Sequence, residues 1–353
     1  MSTSVRPSAA ATLSPRPQRR AGTPALAVGL VVLAVALLAA CLLSVRYGSR
    51  PLTMSDVLGA LGNTDPTDTD QLVVRTLRIP RTIAGVMVGV ALGLSGAVMQ
   101  GVARNPLADP GLLGVNAGAA LFVVIGISVF GVSAASGYVW FAFVGAAVVA
   151  VGVYAIGSIG REGATPVKLA LAGAAVSAAL VSVTTAVLLT DVETFDRFRF
   201  WTVGSLAAAK PAQLWDIAPF VAVGVVLALV TGRLLNALSL GDDVARALGQ
   251  RIATARIVSA LAVVLLCGAA TAVAGPIGFL GLTVPHLARI ITGPDYRWIL
   301  PYSALLAPIL LLVSDVIGRV VARPGELQVG IVMAIVGAPF FIALVRRRKL
   351  AEL

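Results

Sequence analysis

The chain has 353 residues, 58% of them hydrophobic and only 12% charged, whereas soluble domains carry about 25% charged residues. With a mean hydropathy of +0.95, this composition excludes a soluble globular protein and points to an integral membrane protein. The net charge of +11 would suit nucleic acid, but the basic residues punctuate apolar runs and form no solvated face interleaved with stacking aromatics, so membrane orientation accounts for them.

Residues 1–24, rich in Pro, Ser and Arg and without apolar periodicity, read as a disordered basic cytoplasmic tail. A cleaved signal peptide is the rival reading, but the apolar run that follows is too long and more such runs come after it. Crossing about 30 Å of hydrocarbon takes about 20 mostly apolar residues in a helix, because lipid satisfies no free backbone group. Such runs occur at roughly 25–45, 82–103, 112–131, 138–159, 167–190, 214–235, 255–275, 277–291, 299–318 and 328–345. The expected fold class is therefore all-α, a polytopic membrane protein of about ten transmembrane helices. The eighth run is short and interrupted by Gly281 and Pro285, which leaves nine or eleven open.

Cytoplasmic flanks of spans are enriched in Lys and Arg. With the N-terminus inside, the inner segments hold 17 of the 27 basic residues, among them Arg104, Arg161, Lys168, Arg246 and Arg346. The outer segments hold ten of the sixteen acids, including Asp65, Asp191, Glu193 and Asp196. Both termini are then cytoplasmic, which requires an even number of spans and agrees with ten.

Within the second run Gly85, Gly89, Gly93, Ala97 and Gly101 recur at every fourth residue, a small-residue stripe that lets another helix approach closely. A nucleotide-binding glycine loop would need a preceding strand, and no G-x-x-x-x-G-K-[ST] occurs, so any ATP used would be bound by another subunit. The insert "LSLGDDVARALGQR", within residues 238–250 and one beyond, follows the sixth run on the cytoplasmic side. Gly241 and Asp242 can begin a short helix and Gly249 can end it, with Val244, Ala247 and Leu248 on one apolar face, so it reads as a contact surface. "AGPIGFLGLTVPHLAR" is a turn and an interrupted helix, tolerable where protein buries the backbone or a cavity wets it. It holds the only histidine, His286, which makes no metal site alone and reads as a structural hydrogen-bonding group. Cys41 and Cys267 sit in separate apolar runs as small core residues rather than a disulfide or metal pair. No metal and no cofactor are expected. Asp315 and Arg319 stand one helical turn apart near the end of the ninth run, the spacing of an ion pair.

"RIPRTIAGVMVGVALGLSGAVMQGVARNPLADPGLLG", "LSLGDDVARALG", "GPIGFLGLTVPHLAR" and "GELQVGIVMAIVGAPFFIALVRR" resemble the permease subunits of ATP-binding-cassette importers for iron-siderophores, haem and vitamin B12, the FecCD transport family. The resemblance makes residues 25–349 the transmembrane permease domain. It implies a second permease subunit, identical or paralogous, two cytoplasmic ATPase subunits, an extracytoplasmic substrate-binding protein, a metal-chelate substrate and a bacterial cytoplasmic membrane. Iron-siderophore is the commoner cargo, with haem or vitamin B12 as alternatives.

By the same resemblance, Arg78 and Arg81 of the R-x-P-R motif and Arg319 would dock the binding protein's carboxylates. A guanidinium fork can grip a carboxylate through two charge-assisted hydrogen bonds, and Pro80 restrains the backbone between the first two. Asp315 would either fix Arg319 or neutralise it; snorkelling or lipid headgroup binding is the alternative role for these arginines. Asn105 and Leu107 of "RNPLADPG" and Thr165 of "GATPVKLALAG" would form the cytoplasmic gate, although Pro166 and Lys168 depart from the small hydroxyl residues expected beside Thr165. Asp242, Asp243, Val244, Ala245, Arg246, Ala247, Leu248 and Gly249 would seat on the ATPase. Two other classes fit less well. A proton-coupled secondary transporter needs ionisable groups at mid-span, which are nearly absent, and an intramembrane enzyme needs a nucleophile with its base or a ligand set.

Overall fold

The computed structural model describes residues 22–62, 68–132, 135–160 and 165–346. The predicted tail, up to residue 21, and Asp65, Arg161 and residues 347–353 lie outside the described residues. All regular structure among the described residues is helical, in the order α1 (Thr23–Arg46), α2 (Met54–Leu61), α3 (Thr69–Val73), α4 (Ile79–Ala103), α5 (Val115–Ser128), α6 (Ala135–Gly157), α7 (Pro166–Thr190), α8 (Val192–Thr202), α9 (Pro211–Val230), α10 (Gly232–Ser239), α11 (Asp242–Ala247), α12 (Ile252–Ala274), α13 (Leu280–Thr292), α14 (Tyr296–Val321) and α15 (Val329–Arg346).

Nine of the ten apolar runs each overlap one of these helices, and the sixth overlaps two. Seven are long and apolar enough to cross a membrane by length and composition, the longest being Thr69–Ala103, while Val115–Ser128 is apolar but shorter. That longest span exceeds the predicted 82–103 because a π-helical segment, Val74–Arg78, joins α3 to α4 without a break. Four short helices were not foreseen as separate elements. Thr53 and Asp56 close a capping box on α2, and Asp191 caps α8, so local polar chemistry rather than hydropathy starts them. The sixth run divides at Thr231, where α9 ends and α10 begins. The short helix α11 is the predicted insert, and Gly241 and Gly249 flank it with φ of 102° and 78°.

The core is organised around α4, buried over most of its length and packed against α12, α13 and α14. Its small-residue stripe is a packing face. A Cβ at Gly93 would sit 2.5 Å from Ala307 Cβ and 2.6 Å from the Ser303 carbonyl, both on α14. A Cβ at Gly96 would overlap the backbone of Gly281 on α13. The driving term in such a bundle is close packing, since lipid gives no hydrophobic reward for helix association. α1 is peripheral. Val28, Val31, Val35, Leu38 and Leu42 are exposed along it, as suits a helix facing acyl chains.

The predicted turn near Gly275 is present, but the helix after it is not interrupted: α13 runs unbroken through Gly281 and Pro285. α12 stops at Ala274, Gly275 turns with φ 71°, and Phe279, at φ 65°, leads into α13. Some of the turn's backbone groups find partners in protein: Ser205 N–H donates to the Ala274 carbonyl at 2.7 Å, and Gly275 N–H to the Thr271 carbonyl at 2.9 Å. These bonds satisfy the backbone where α12 stops.

Candidate functional site

Arg81 opens α4 and Arg104 ends it, so the two candidate regions lie at opposite ends of one helix that is roughly 37 Å long at 1.5 Å per residue. At the Arg81 end, Arg81 Nε and Nη2 donate to the two Asp315 oxygens at 3.0 and 2.8 Å. Its Nη1 donates to Glu326 at 2.6 Å. Arg319 pairs with Asp315 at 3.0 Å, the ion pair expected from the one-turn spacing. Asp315 is fully buried, and Arg81 and Arg319 nearly so. Glu326 is about one-third open, at 31% of its side chain. Burial works to raise the Glu326 carboxyl, but the Arg81 hydrogen bond and charge, with Ser49, hold it below the ordinary glutamate range.

The same arginines close the end of α1. The last carbonyls of a helix have no partner within it. Arg319 Nη1 donates to Ser44 O at 3.0 Å, and Arg78 Nη1 donates to Val45 O at 2.9 Å and to Arg46 O at 2.5 Å. Arg78 also bonds Arg50 O, and Arg323 donates to Gly48 O at 2.6 Å. Ser44, which accepts from Arg319 at 3.0 Å, shares a 2.8 Å hydrogen bond with Thr82. The three arginines predicted to dock a partner are thus brought together, and in this structure their guanidinium groups turn inward onto α1, Asp315 and Glu326. Sequence spacing revealed one of these contacts, Asp315 with Arg319. It missed Glu326, Ser44 and Thr82, which are joined to the arginines across long stretches of chain and leave no local pattern.

At the other end, α4 finishes with Arg104 in the left-handed conformation, φ 49° and ψ 35°. Asn105 then accepts from Leu107 N–H at 2.9 Å, and Asp109 from Gly111 N–H at 2.8 Å. These side-chain caps, with Pro106 and Pro110, fix the turn between α4 and α5. Asp109 lies at the start of a short 3-10 helix (Pro110–Leu113), and burial raises its carboxyl above the usual range, opposed by the Gly111 hydrogen bond. Asn105 and Leu107 are exposed. Thr165 caps α7 by accepting from Lys168 N–H at 3.3 Å, so the residues that depart from the family pattern form an ordinary proline-started helix. α7 meets the turn farther along, where Gly173 lies against the Leu112 carbonyl.

The insert presents what its pattern predicted. Ala245 is buried beneath α11, whereas Val244 and Leu248 are 46% and 60% exposed and Ala247 lies open beside them. Asp243 and Arg246 pair on the surface at 2.7 Å. Asp242 faces back into the protein, 3.2 Å from Arg104 and 2.8 Å from Arg256. His286 departs from expectation: it is buried, but its Nδ1 finds no partner among the described residues. Cys41 and Cys267 are free thiols, and no group of three or more metal-ligating side chains occurs among the described residues.

The fold that carries these two ends is similar to that of a solved metal-chelate type ABC transporter in an inward-facing conformation. The two superpose with a TM-score of 0.79 at 27% identity, over 91% of this chain and 99% of that one. The fold is that of a multi-pass membrane transport protein. Residues 36–347 match the FecCD transport family, and the chain belongs to it. It is similar to the ferric enterobactin transport system permease protein FepD of Escherichia coli, at 46% identity over 92% of this chain and 96% of that protein. The probable siderophore transport system permease protein YfiZ of Bacillus subtilis is 41% identical over 90% of this chain and 95% of its own length. The hemin transport system permease protein HmuU of Yersinia pestis is 36% identical over 92% and 97%.

Proposed function

We propose that this chain is the permease subunit of an ATP-binding-cassette importer that carries an iron-siderophore complex across the bacterial cytoplasmic membrane. The observation that carries the reading is the exposed apolar face of Val244, Ala247 and Leu248, set beside the proline-fixed turn in a chain of the FecCD family. An unpartnered apolar face rimmed by charges suits a protein partner. The chain crosses the membrane ten times with both termini cytoplasmic. It pairs with a second permease subunit, identical or paralogous, and engages two ATPase subunits that hydrolyse the ATP. Residues 242–249 seat on the ATPase, and Asn105, Leu107 and Thr165 gate the cytoplasmic side of the pathway.

The binding protein docks at the opposite end, around Arg78, Arg81 and Arg319. Because these guanidiniums are held internally, its carboxylates reach Arg81 by replacing Glu326, the most open carboxylate on it. Iron-siderophore is favoured over haem or vitamin B12 because the more similar relatives are named for ferric enterobactin and siderophore. A proton-coupled carrier is disfavoured: the buried charges of the Arg81 cluster lie at one end of the bundle and are paired rather than placed at mid-span.

The test is uptake into proteoliposomes holding the permease with its cognate ATPase and binding protein. ATP-dependent accumulation of a ferric siderophore, indifferent to dissipation of ion gradients, is expected. Uptake of haemin or cobalamin alone would overturn the cargo, and uptake driven by a proton gradient without ATP would overturn the class. Val244→Asp with Leu248→Asp should release the ATPase while leaving the bundle folded; full coupling in that variant would move the ATPase contact elsewhere.

A further inference from the structure

We propose that Asp242 is the positioning residue through which α11 moves the end of α4, a clasp that ties the ATPase-facing helix to the gate turn. This rests on the reading of 242–249 as the ATPase contact and of Asn105 and Leu107 as gate residues.

Three elements far apart in sequence converge on this carboxylate. Asp242 is the first residue of α11. Arg104 is the left-handed residue that ends α4 and immediately precedes Asn105, so its backbone sets the direction in which the turn departs. Arg256 stands in the second turn of α12, its side chain only 11% exposed. The carboxylate treats its two partners unequally. Oδ2 accepts a hydrogen bond from Arg256 at 2.8 Å. Oδ1 accepts none among the described residues, although Arg104 stands within ion-pair distance at 3.2 Å. The hold on the rigid span is directional, and the hold on the turn is a looser charge contact that can be remade as α11 shifts.

The backbone around α11 suits such a shift. Gly241 and Gly249 both have strongly positive φ, a region that glycine occupies without strain, and nothing lies within 4 Å of a Cβ built at Gly249. The short helix is thus carried between two glycine swivels, and the buried Ala245 and the Asp242 carboxylate attach it to the rest of the protein. The contact with Arg104, between side chains 36% and 26% exposed, is of a kind that adds little to folding stability, so its removal should appear in coupling rather than in the amount of folded protein.

The experiment compares Asp242→Asn, Arg104→Gln, the double variant and Asp242→Glu in the complete transporter in proteoliposomes. The probe is whichever of ferric enterobactin, a ferric hydroxamate and haemin the unaltered complex accumulates. Bound ATPase is quantified in every variant, and transport is read as substrate moved per ATP hydrolysed by the assembled complex, so that a loss of ATPase binding is separated from a loss of coupling. Substrate moved per ATP should fall about 5-fold or more in each single variant, the range of an ordinary coupling free energy. The double variant should be no worse than the worse single, because both act through one contact, and Asp242→Glu should recover much of the loss. Unaltered transport per ATP in Asp242→Asn, additive defects in the double variant, or hydrolysis and transport falling together with folded complex would each overturn the clasp. If Val244→Asp with Leu248→Asp leaves the ATPase bound and coupled, the contact reading fails and takes the clasp with it. If that pair releases the ATPase while Asp242→Asn transports normally, the clasp alone fails.

Discussion

Arg81 and Asp315, 234 residues apart in sequence, meet in a two-pronged hydrogen-bonded pair that locks α4 to α14. Arg319 shares the same carboxylate from one turn farther along its own helix, so a single buried acid balances two buried bases.

Removing the acid should therefore be worse than removing the whole set. Breaking a buried pair from one side typically costs about 3–5 kcal/mol because a charge is left uncompensated. Asp315→Leu should sharply lower the thermal stability and membrane abundance of the permease. Replacing Arg81, Asp315 and Arg319 together by Met, Leu and Met should recover part of that stability. A melting temperature for Asp315→Leu equal to that of the unaltered protein would show that the network is not structural.

Packing on α4 gives a second contrast. Gly96→Ala places a methyl group against the Gly281 backbone, which cannot turn aside, whereas Gly152 on α6 has nothing within 4 Å of the same added atom. Overpacking costs typically 1–3 kcal/mol, while a helical Gly→Ala exchange in open space gains up to about 1 kcal/mol. Detergent-solubilised Gly96→Ala should melt earlier and Gly152→Ala at the same temperature or later. The reverse order would contradict the packing.

Glu326 allows docking to be read by addition as well as by loss. If the binding protein's carboxylates replace it on Arg81, Glu326→Gln should tighten docking, and Arg78→Glu with Arg81→Glu should weaken it after correction for inserted permease. Docking by the unaltered protein should weaken as salt rises. Weaker or unchanged docking in Glu326→Gln would remove the exchange.

The pH dependence of Glu326 follows from its lowered folded-state carboxyl. A depressed acid contributes its full stabilisation above the unfolded value, near 4.3, and loses it only as pH falls through the lower folded value. The stability difference between Glu326→Gln and the unaltered protein should be flat from about pH 5 to 8 and shrink below about pH 4. A difference that vanishes near neutrality would contradict the pairing.

ATP chemistry is expected elsewhere in the complex. The purified chain, free of other subunits, should hydrolyse no ATP, since no phosphate-cradling loop occurs in its sequence. Sustained hydrolysis by such a preparation would contradict a permease role.

Hydropathy made the apolar runs legible because lipid demands long, uninterrupted apolar helices, and the glycines on α4 announced close packing by their spacing. The α11 surface was legible too, since a helical period of Val244, Ala247 and Leu248 stands out against its polar neighbours. Pairing across the chain was not. Nothing near Arg81 in sequence names Asp315 or Glu326, and nothing near Asp242 names Arg104. Arg78 looked like a group waiting for an external carboxylate because the carbonyls it satisfies at the end of α1 carry no side-chain signature.

The seam between Gly96 and Gly281 has a further consequence. Where two main chains rest directly on each other, no rotamer can change to widen or narrow the gap, and the two helices must travel together. α4 and α13 therefore act as one stiff plank, and any alternation between open and closed forms has to be taken up at its ends. The glycine-flanked α11 and the turn after Arg104 lie at one such end, so on the importer reading proposed above they would serve as its joint.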